Sequence, residues 1–173
     1  MIIAVCLNPA LDITHHVAAV DWSGVNRPTA VHTRPGGKGV NVARTLHVLG
    51  ADAQLRVLLP AVPAGLLLGL AGGPTGAAIE TALRELGVPT DFTPIAGDSR
   101  RTFTVVDGPS GDAPSGDSLS GDGPSGDGPS GAGQRRVAVF NEPGPEVTPA
   151  EFTLFRARYA AAPCPAALAR AAA

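Results

Sequence analysis

The amino-acid sequence predicts an α/β fold with a largely parallel sheet, because short strand-like segments alternate with helical ones. Ile2–Leu7 is a continuous apolar run that ends at an Asn-Pro pair, which is typical of a buried strand. Residues 39–49 and 76–86 carry apolar side chains at helical spacing. Strands that alternate with helices indicate crossover units whose strands pair in parallel.

Each predicted helix has an apolar face and a glycine at its end. The two faces consist of Val42, Leu46 and Leu49 in the first helix, and of Ile79, Leu83 and Leu86 in the second. Gly50 and Gly87 follow as C-terminal stops, since glycine adopts the left-handed conformation that commonly ends a helix.

Further segments are β-prone. Residues 13–20 and 29–33 are only partly apolar, which suits strands with an exposed face. Residues 54–59, 102–106 and 136–140 complete the predicted strands. The Ala-rich tail, residues 156–173, predicts a frayed helix that two prolines interrupt.

Residues 108–133 form a degenerate repeat of Gly, Pro, Ser and Asp. Leu119 is the one apolar side chain larger than alanine in this segment. Such a segment cannot bury enough surface to offset the entropy lost on ordering, so we predict a disordered loop between two strands of a hairpin.

Composition excludes several function classes. A net charge of −2 argues against nucleic acid or an anionic membrane as an obligatory partner. The apolar stretch at 55–71 contains prolines and is too short for a convincing membrane span, and the first residues lack the pattern of a signal peptide. His15 and His16 are adjacent and would point to opposite faces of a strand, so no metal site is predicted. We expect a cytoplasmic protein.

Two segments could carry chemistry. Residues 35–44, PGGKGVNVAR, place two glycines and Lys38 directly before a helix, whose N-terminus attracts anions. A glycine-rich turn that only starts a helix would look the same. Asp12 follows the first strand, where ligands bind in open α/β sheets, and it could accept hydrogen bonds from sugar hydroxyls. An ordinary turn carboxylate is the alternative.

Six motifs occur in one order along the chain: NPALD at 8–12, VNR at 25–27, GGKGVNVAR at 36–44, GGPTG at 72–76, GDSRRT at 97–102 and NEPGPE at 141–146. Together they resemble the PfkB/ribokinase family of carbohydrate kinases, and most of all its 1-phosphofructokinase and tagatose-6-phosphate kinase branch. The resemblance implies a partial ribokinase-like fold, a mostly parallel sheet with flanking helices and a small β lid that such kinases often use in dimerisation. A homodimer through the lid is therefore an expectation.

The resemblance also implies a substrate site. By position, Asp12 matches the family's ligand for sugar hydroxyls, and Arg100 matches the arginine that meets the phosphate already on the sugar. Glu142 matches an acidic residue of the returning lid strand. Gly36, Gly37, Lys38 and Asn41 match the substrate loop. The implied substrate-binding part spans residues 1–107 and 134–155, with the repeat at the tip of the lid.

Members of the family carry a downstream GAGD motif, whose glycines form an anion hole and whose Asp is the catalytic base, and they use ATP and Mg²⁺. The 173 residues contain no such motif, so no catalytic residue is predicted and neither ATP nor Mg²⁺ is expected to bind this chain well. Two hypotheses remain open. The chain is the substrate-binding portion of an ATP-dependent ketohexose-phosphate kinase and is inactive alone, or it is a non-catalytic sugar-phosphate-binding module or lid-mediated partner of an intact kinase.

Overall fold

A computed structural model describes residues 2–49, 65–108 and 136–162 of the chain. In chain order its elements are β1 (Ile2–Cys6), β2 (Ala10–Val17), β3 (Ala30–Gly36), α1 (Lys38–Val48), β4 (Gly65–Gly72), α2 (Gly73–Glu85), β5 (Thr90–Ile95), β6 (Arg100–Asp107), β7 (Arg136–Asn141) and α3 (Pro149–Ala161). The strand predicted at 54–59 and nearly all of the repeat at 108–133 lie outside the described residues.

The chain divides into two compact units. The first comprises residues 1–12, 33–102 and 141–173, and the second comprises residues 13–32 and 103–140. The first unit contains a parallel sheet with the strand order β1-β4-β5. This arrangement confirms the predicted α/β class with parallel strands.

Strand β4 lies at the centre of the parallel sheet and is covered on both faces. Leu67 belongs to a core cluster that includes Val40 of α1 and Leu83 of α2. The neighbouring Leu68 belongs to a second cluster with Phe155 of α3. Successive side chains of a strand point to opposite faces, so α1 and α2 lie on one side of the sheet and α3 on the other.

The apolar face predicted for α1 was wrong. Val40 and Ala43 are the buried residues of this helix, whereas Val42 is 51% exposed and Leu49 is 74% exposed. The reason is the docking of the helix start, because Gly39 lies so close to the Val5 carbonyl that a side chain would not fit there. That contact turns Val40 and Ala43 toward the sheet, and the small Ala43 permits close packing.

The face predicted for α2 was right for two of its three residues. Ile79 and Leu83 are fully buried. Leu86 follows the last helical residue and is 46% exposed. The backbone of Gly87 has a φ of 73°, which confirms the predicted glycine stop.

Helix α3 was not predicted over its full length, although the sequence contains its start signal. The Thr148 hydroxyl accepts a hydrogen bond from the Glu151 backbone N–H, and the Thr148 backbone N–H donates to Glu151 Oε2 at 2.7 Å. This capping box precedes a proline in the first turn, a combination that favours helix initiation. The predicted start of the Ala-rich tail at residue 156 falls inside α3.

Strand β5 was missed because Pro94 and two threonines interrupt its apolar pattern. It pairs in parallel with β4, and α3 holds it from outside. Arg158 Nη1 donates to Asp91 Oδ1 at 2.7 Å and to the Phe92 carbonyl at 3.0 Å. Pairing with β4 and this side-chain clamp define the strand, and neither is visible in its local sequence.

A second sheet has the strand order β3-β2-β6-β7. Its strands confirm the predicted segments at 13–20, 29–33, 102–106 and 136–140 to within a few residues at each end. Among the residues that the structure describes, no helix has the length and apolar character that crossing a membrane requires.

Candidate functional site

The first unit brings the glycine loop onto the segment that follows β1. A Cβ on Gly36 would overlap the Asp12 carboxylate, so only glycine leaves room for this side chain. Gly37 has a φ of 110°, which favours glycine, and a Cβ there would lie 3.0 Å from Cys6 Sγ. Two motifs that are distant in sequence, NPALD and GGKG, therefore meet in space.

Helix α1 starts in this loop without a side-chain cap. Its N-cap residue is Gly37, the cap makes no side-chain hydrogen bond, and the first turn contains no acidic residue. The first intrahelical hydrogen bond runs from Asn41 N to the Gly37 carbonyl at 2.9 Å. Lys38 is exposed and Asn41 is half-buried at this end. Uncapped N–H groups and the helix dipole suit an anion.

Asp12 lies among arginines from three elements. Burial raises the pKa of Asp12 above its ordinary value of 3.8, while a hydrogen bond from Thr102 and the charges of three arginines oppose that rise. The arginines are Arg34 of β3, Arg100 of β6 and Arg44 of α1. Because β3 and β6 flank β2, the Asp12 carboxylate lies on the central strand of the three.

Arg100 has little hydrogen bonding of its own. Its Nε is buried and has no hydrogen-bond partner in the structure, and its Nη1 lies 3.5 Å from Thr102 Oγ1. A buried donor without a partner costs stability, so this N–H is open to a further acceptor. A phosphate oxygen would satisfy it.

Glu142 pairs with Arg101. Its Oε2 accepts from the Arg101 backbone N–H at 2.9 Å and from Arg101 Nε at 3.1 Å, and its Oε1 lies 3.0 Å from Arg101 Nη2. The side-chain hydrogen bond from Arg101 lowers the pKa of Glu142, so the carboxylate stays ionised. In this conformation both oxygens of Glu142 face Arg101.

The NEPGPE segment packs on two other motifs. A Cβ on Gly144 would lie 2.6 Å from Asn8 Nδ2, and a Cβ on Gly97 would lie 2.6 Å from Pro145 Cβ. These close approaches join residues 141–146 to the NPALD segment and to the GDSRRT turn. Together with the contact of Gly36 and Asp12, they bring four of the six motifs together within one unit.

Sequence reasoning missed Arg34 and Arg44. Neither stands out locally, since each is one charge in a polar or helical segment. The available signals were the alternation of Arg34 with Gly36 along β3 and the place of Arg44 at the end of the GGKGVNVAR motif. Arg34 lies near Asp12 because β3 pairs with β2, and this pairing is not visible in the local sequence.

The donor set around Asp12 does not fit a metal ion. Mg²⁺ takes oxygen ligands in octahedral geometry, whereas the charges that act on Asp12 are guanidinium groups that repel a cation. Across residues 2–49, 65–108 and 136–162, no group of three or more His, Cys, Asp or Glu side chains could hold a metal. No metal-dependent step is assigned to this carboxylate.

Known proteins resemble the chain in sequence and in fold. It is 41% identical over 104 residues to ATP-dependent 6-phosphofructokinase isozyme 2 of Mycobacterium tuberculosis, a match that covers 60% of this chain and 27% of the relative. It is 38% identical over 102 residues to 1-phosphofructokinase of Bacillus subtilis, covering 58% of this chain and 29% of that protein. The chain thus spans less than a third of these relatives.

A solved structure agrees on the fold. Phosphofructokinase-2 from Escherichia coli in complex with fructose-6-phosphate superposes with a TM-score of 0.64 at 22% identity, over 91% of this chain and 40% of that one. The fold is therefore a partial ribokinase-like α/β fold, as predicted. The family model described as pfkB family carbohydrate kinase matches residues 7–112. The chain belongs to the pfkB family of carbohydrate kinases.

Proposed function

We propose that this chain binds a phosphorylated ketohexose and supplies the substrate-binding portion of an ATP-dependent sugar-phosphate kinase. The observation that carries the proposal is the half-buried Asp12 carboxylate, set against Gly36 and among three arginines. A carboxylate suits sugar hydroxyls, and an excess of guanidinium charge suits a phosphate dianion. One site thus matches both ends of a sugar phosphate.

Each predicted residue has a role in this proposal. Asp12 accepts hydrogen bonds from the sugar hydroxyls, and Arg100 donates to the phosphate, which satisfies its buried Nε. The uncapped start of α1 adds backbone donors near Lys38 and Asn41. Glu142 joins the sugar contacts only if it leaves Arg101. The 6-phosphofructokinase and 1-phosphofructokinase relatives support a fructose phosphate as the substrate class.

Arg100→Gln should weaken binding of fructose 1-phosphate by about tenfold or more, because a hydrogen bond to a charged group contributes roughly 1.5–3 kcal/mol. Binding of unphosphorylated fructose should not change. NMR titration of the 173-residue chain measures both ligands. Arg84→Gln on the surface of α2 is the matched control and should bind as wild type. Equal losses for fructose and its phosphate would contradict the assignment of Arg100.

Fructose 6-phosphate and tagatose 6-phosphate should be titrated in the same way. The three affinities then rank the candidate substrates. A wild-type chain that binds none of the three phosphates would overturn the proposed function. A chain that binds one of them without binding ATP fits both the substrate-binding portion and the non-catalytic module, whereas ATP binding would exclude the non-catalytic module.

The purified chain should show no phosphoryl transfer. Catalysis of this reaction depends on positioning and charge stabilisation of the transferred group, and the 173 residues contain no GAGD motif to provide them. A coupled ATP assay with fructose 1-phosphate measures turnover, with Asp12→Ala as the reference. Turnover above that reference would show that the chain is a kinase by itself.

Asp12→Asn should abolish sugar binding and raise the melting temperature at pH 7. Burial raises the pKa of Asp12, so the ionised carboxyl costs stability at neutral pH, and the amide removes that cost. The difference between variant and wild type should shrink as the pH falls toward 3.8, because the wild-type carboxyl then becomes protonated. Thermal unfolding monitored by circular dichroism from pH 7 down to about pH 3 tests the sign.

Asp21→Asn is the opposite control. Hydrogen bonds from Ser23 lower the pKa of Asp21, so the ionised Asp21 carboxylate stabilises the chain at pH 7. Asp21→Asn should therefore destabilise the chain at pH 7, and this difference from wild type should disappear below pH 3.8. A less stable Asp12→Asn variant at neutral pH would contradict the cost assigned to burial.

We also propose that the second unit serves as a lid that pairs with another lid. Strand β7 exposes Val137, Val139 and Phe140, and Phe140 is 57% exposed. A groove of about 550 Å³ lined by Trp22, Val137 and Phe140 adjoins them. Exposed apolar surface of this kind is typical of a protein interface. The inhibited form of phosphofructokinase-2 from E. coli has been solved as a tetramer. A cytoplasmic location stays a prediction.

Phe140→Asp should convert a dimer to a monomer, because it places a charge in that apolar surface. Analytical ultracentrifugation measures the change, and Val48→Asp at the exposed end of α1, in the first unit, is the control that should leave association intact. A wild-type chain that sediments as a monomer at all concentrations would contradict self-association.

A further inference from the structure

The turn that leads into β6 is bound to the start of α2. Asp98 Oδ1 accepts from the Thr75 backbone N–H at 2.9 Å, and Asp98 Oδ2 accepts from Thr75 Oγ1 at 2.9 Å. The N-cap residue of α2 is Gly72, which has no side chain to cap the helix. Asp98 therefore caps α2 from a distant part of the sequence, and its charge is favourable at a helix N-terminus.

Ser99 adds a second attachment to the same helix start. It is 4% exposed, its Oγ accepts from the Gly72 backbone N–H at 3.1 Å, and its own N–H donates to the Gly72 carbonyl at 3.0 Å. Hydrogen bonds from both residues 98 and 99 thus join this turn to residues 72–75. The residue that follows this anchored pair is Arg100.

The fit between the two segments is close. A Cβ on Gly73 would overlap the Asp98 carboxylate, so a larger residue at this position would displace the cap. The GGPTG motif therefore forms the N-terminus of α2, and Asp98 packs against that N-terminus. The N-caps of both helices are glycines that make no side-chain hydrogen bond, so the contact with Asp98 is what distinguishes α2.

Arg100 depends on this anchor. Its Nε has no hydrogen-bond partner, and the contact of its Nη1 with Thr102 Oγ1 is long at 3.5 Å. Few hydrogen bonds therefore hold the guanidinium itself, and Asp98 and Ser99 anchor the backbone directly before it.

We propose that Asp98 is a positioning residue that holds Arg100 in the orientation for a ligand phosphate, through the start of α2. The inference rests on the proposed function, because it assigns Asp98 to the phosphate end of the same site. Both carboxylate oxygens of Asp98 accept hydrogen bonds from Thr75 of the helix, so we assign Asp98 no direct contact with the ligand.

Asp98→Asn tests the role with little change in shape. The amide keeps one acceptor oxygen but loses the charge and the second acceptor. We expect affinity for fructose 1-phosphate to fall about three- to tenfold, the effect of one typical hydrogen bond, while affinity for fructose stays the same. Thr75→Val removes the hydroxyl that donates to Asp98 Oδ2 and should give the same selective loss. Thr75→Ser keeps that hydroxyl and should bind as wild type.

A double-mutant cycle separates positioning from general destabilisation. If Asp98 acts through Arg100, Asp98→Asn should cause no further loss in an Arg100→Gln background. Additive losses, or equal losses for fructose and fructose 1-phosphate, would overturn the proposal.

A second measurement needs no ligand. The Arg100 Nε–Hε order parameter from NMR relaxation should be high in the wild-type chain and lower in Asp98→Asn and Thr75→Val. An unchanged order parameter would overturn the positioning role even if the wild-type chain binds fructose 1-phosphate. A chain that fails to bind but shows the drop would refute the proposed function and keep the Asp98–Arg100 coupling.

Discussion

The close approach of the Asp12 carboxylate to the Gly36 backbone is the contact on which the site depends. It fixes the end of β3 against β2, and α1 begins two residues later, so the helix start must lie beside the carboxylate. Any side chain at residue 36 would separate these parts. The same contact buries Asp12 and raises its pKa, so the geometry that forms the site also destabilises it.

Two helices begin with glycines, and the structure uses them differently. Both N-cap residues are glycines without a side-chain cap of their own, but at the start of α2 the Thr75 backbone N–H donates to Asp98. The sequence predicts an anion-binding turn at GGKG and assigns no such role to GGPTG. The distinction depends on a carboxylate from the GDSRRT turn, and only the folded chain brings that turn to the helix.

Much of the fold was predictable because its signals are local. Ile2–Leu7 is apolar, α2 repeats Ile79 and Leu83 on one face, and Gly87 ends that helix as expected. The face of α1 was not predictable, because Gly39 docks against Val5 and turns Val40 inward. Strand β5 was missed for a related reason, since its pairing with β4 overrides a weak local pattern.

The sequence by itself determined the family, through six ordered motifs, and with it the choice of Asp12, Gly36 and Arg100 as candidate site residues. The tertiary structure alone decided which charges surround Asp12 and which residues support Arg100. Arg34 reaches the site through the pairing of β3 with β2, and Asp98 through contact with α2. A motif identifies residues that are close together in the sequence. The charges around Asp12 and the residues that support Arg100 come from distant parts of the sequence, so only the folded chain shows which of them are close in space.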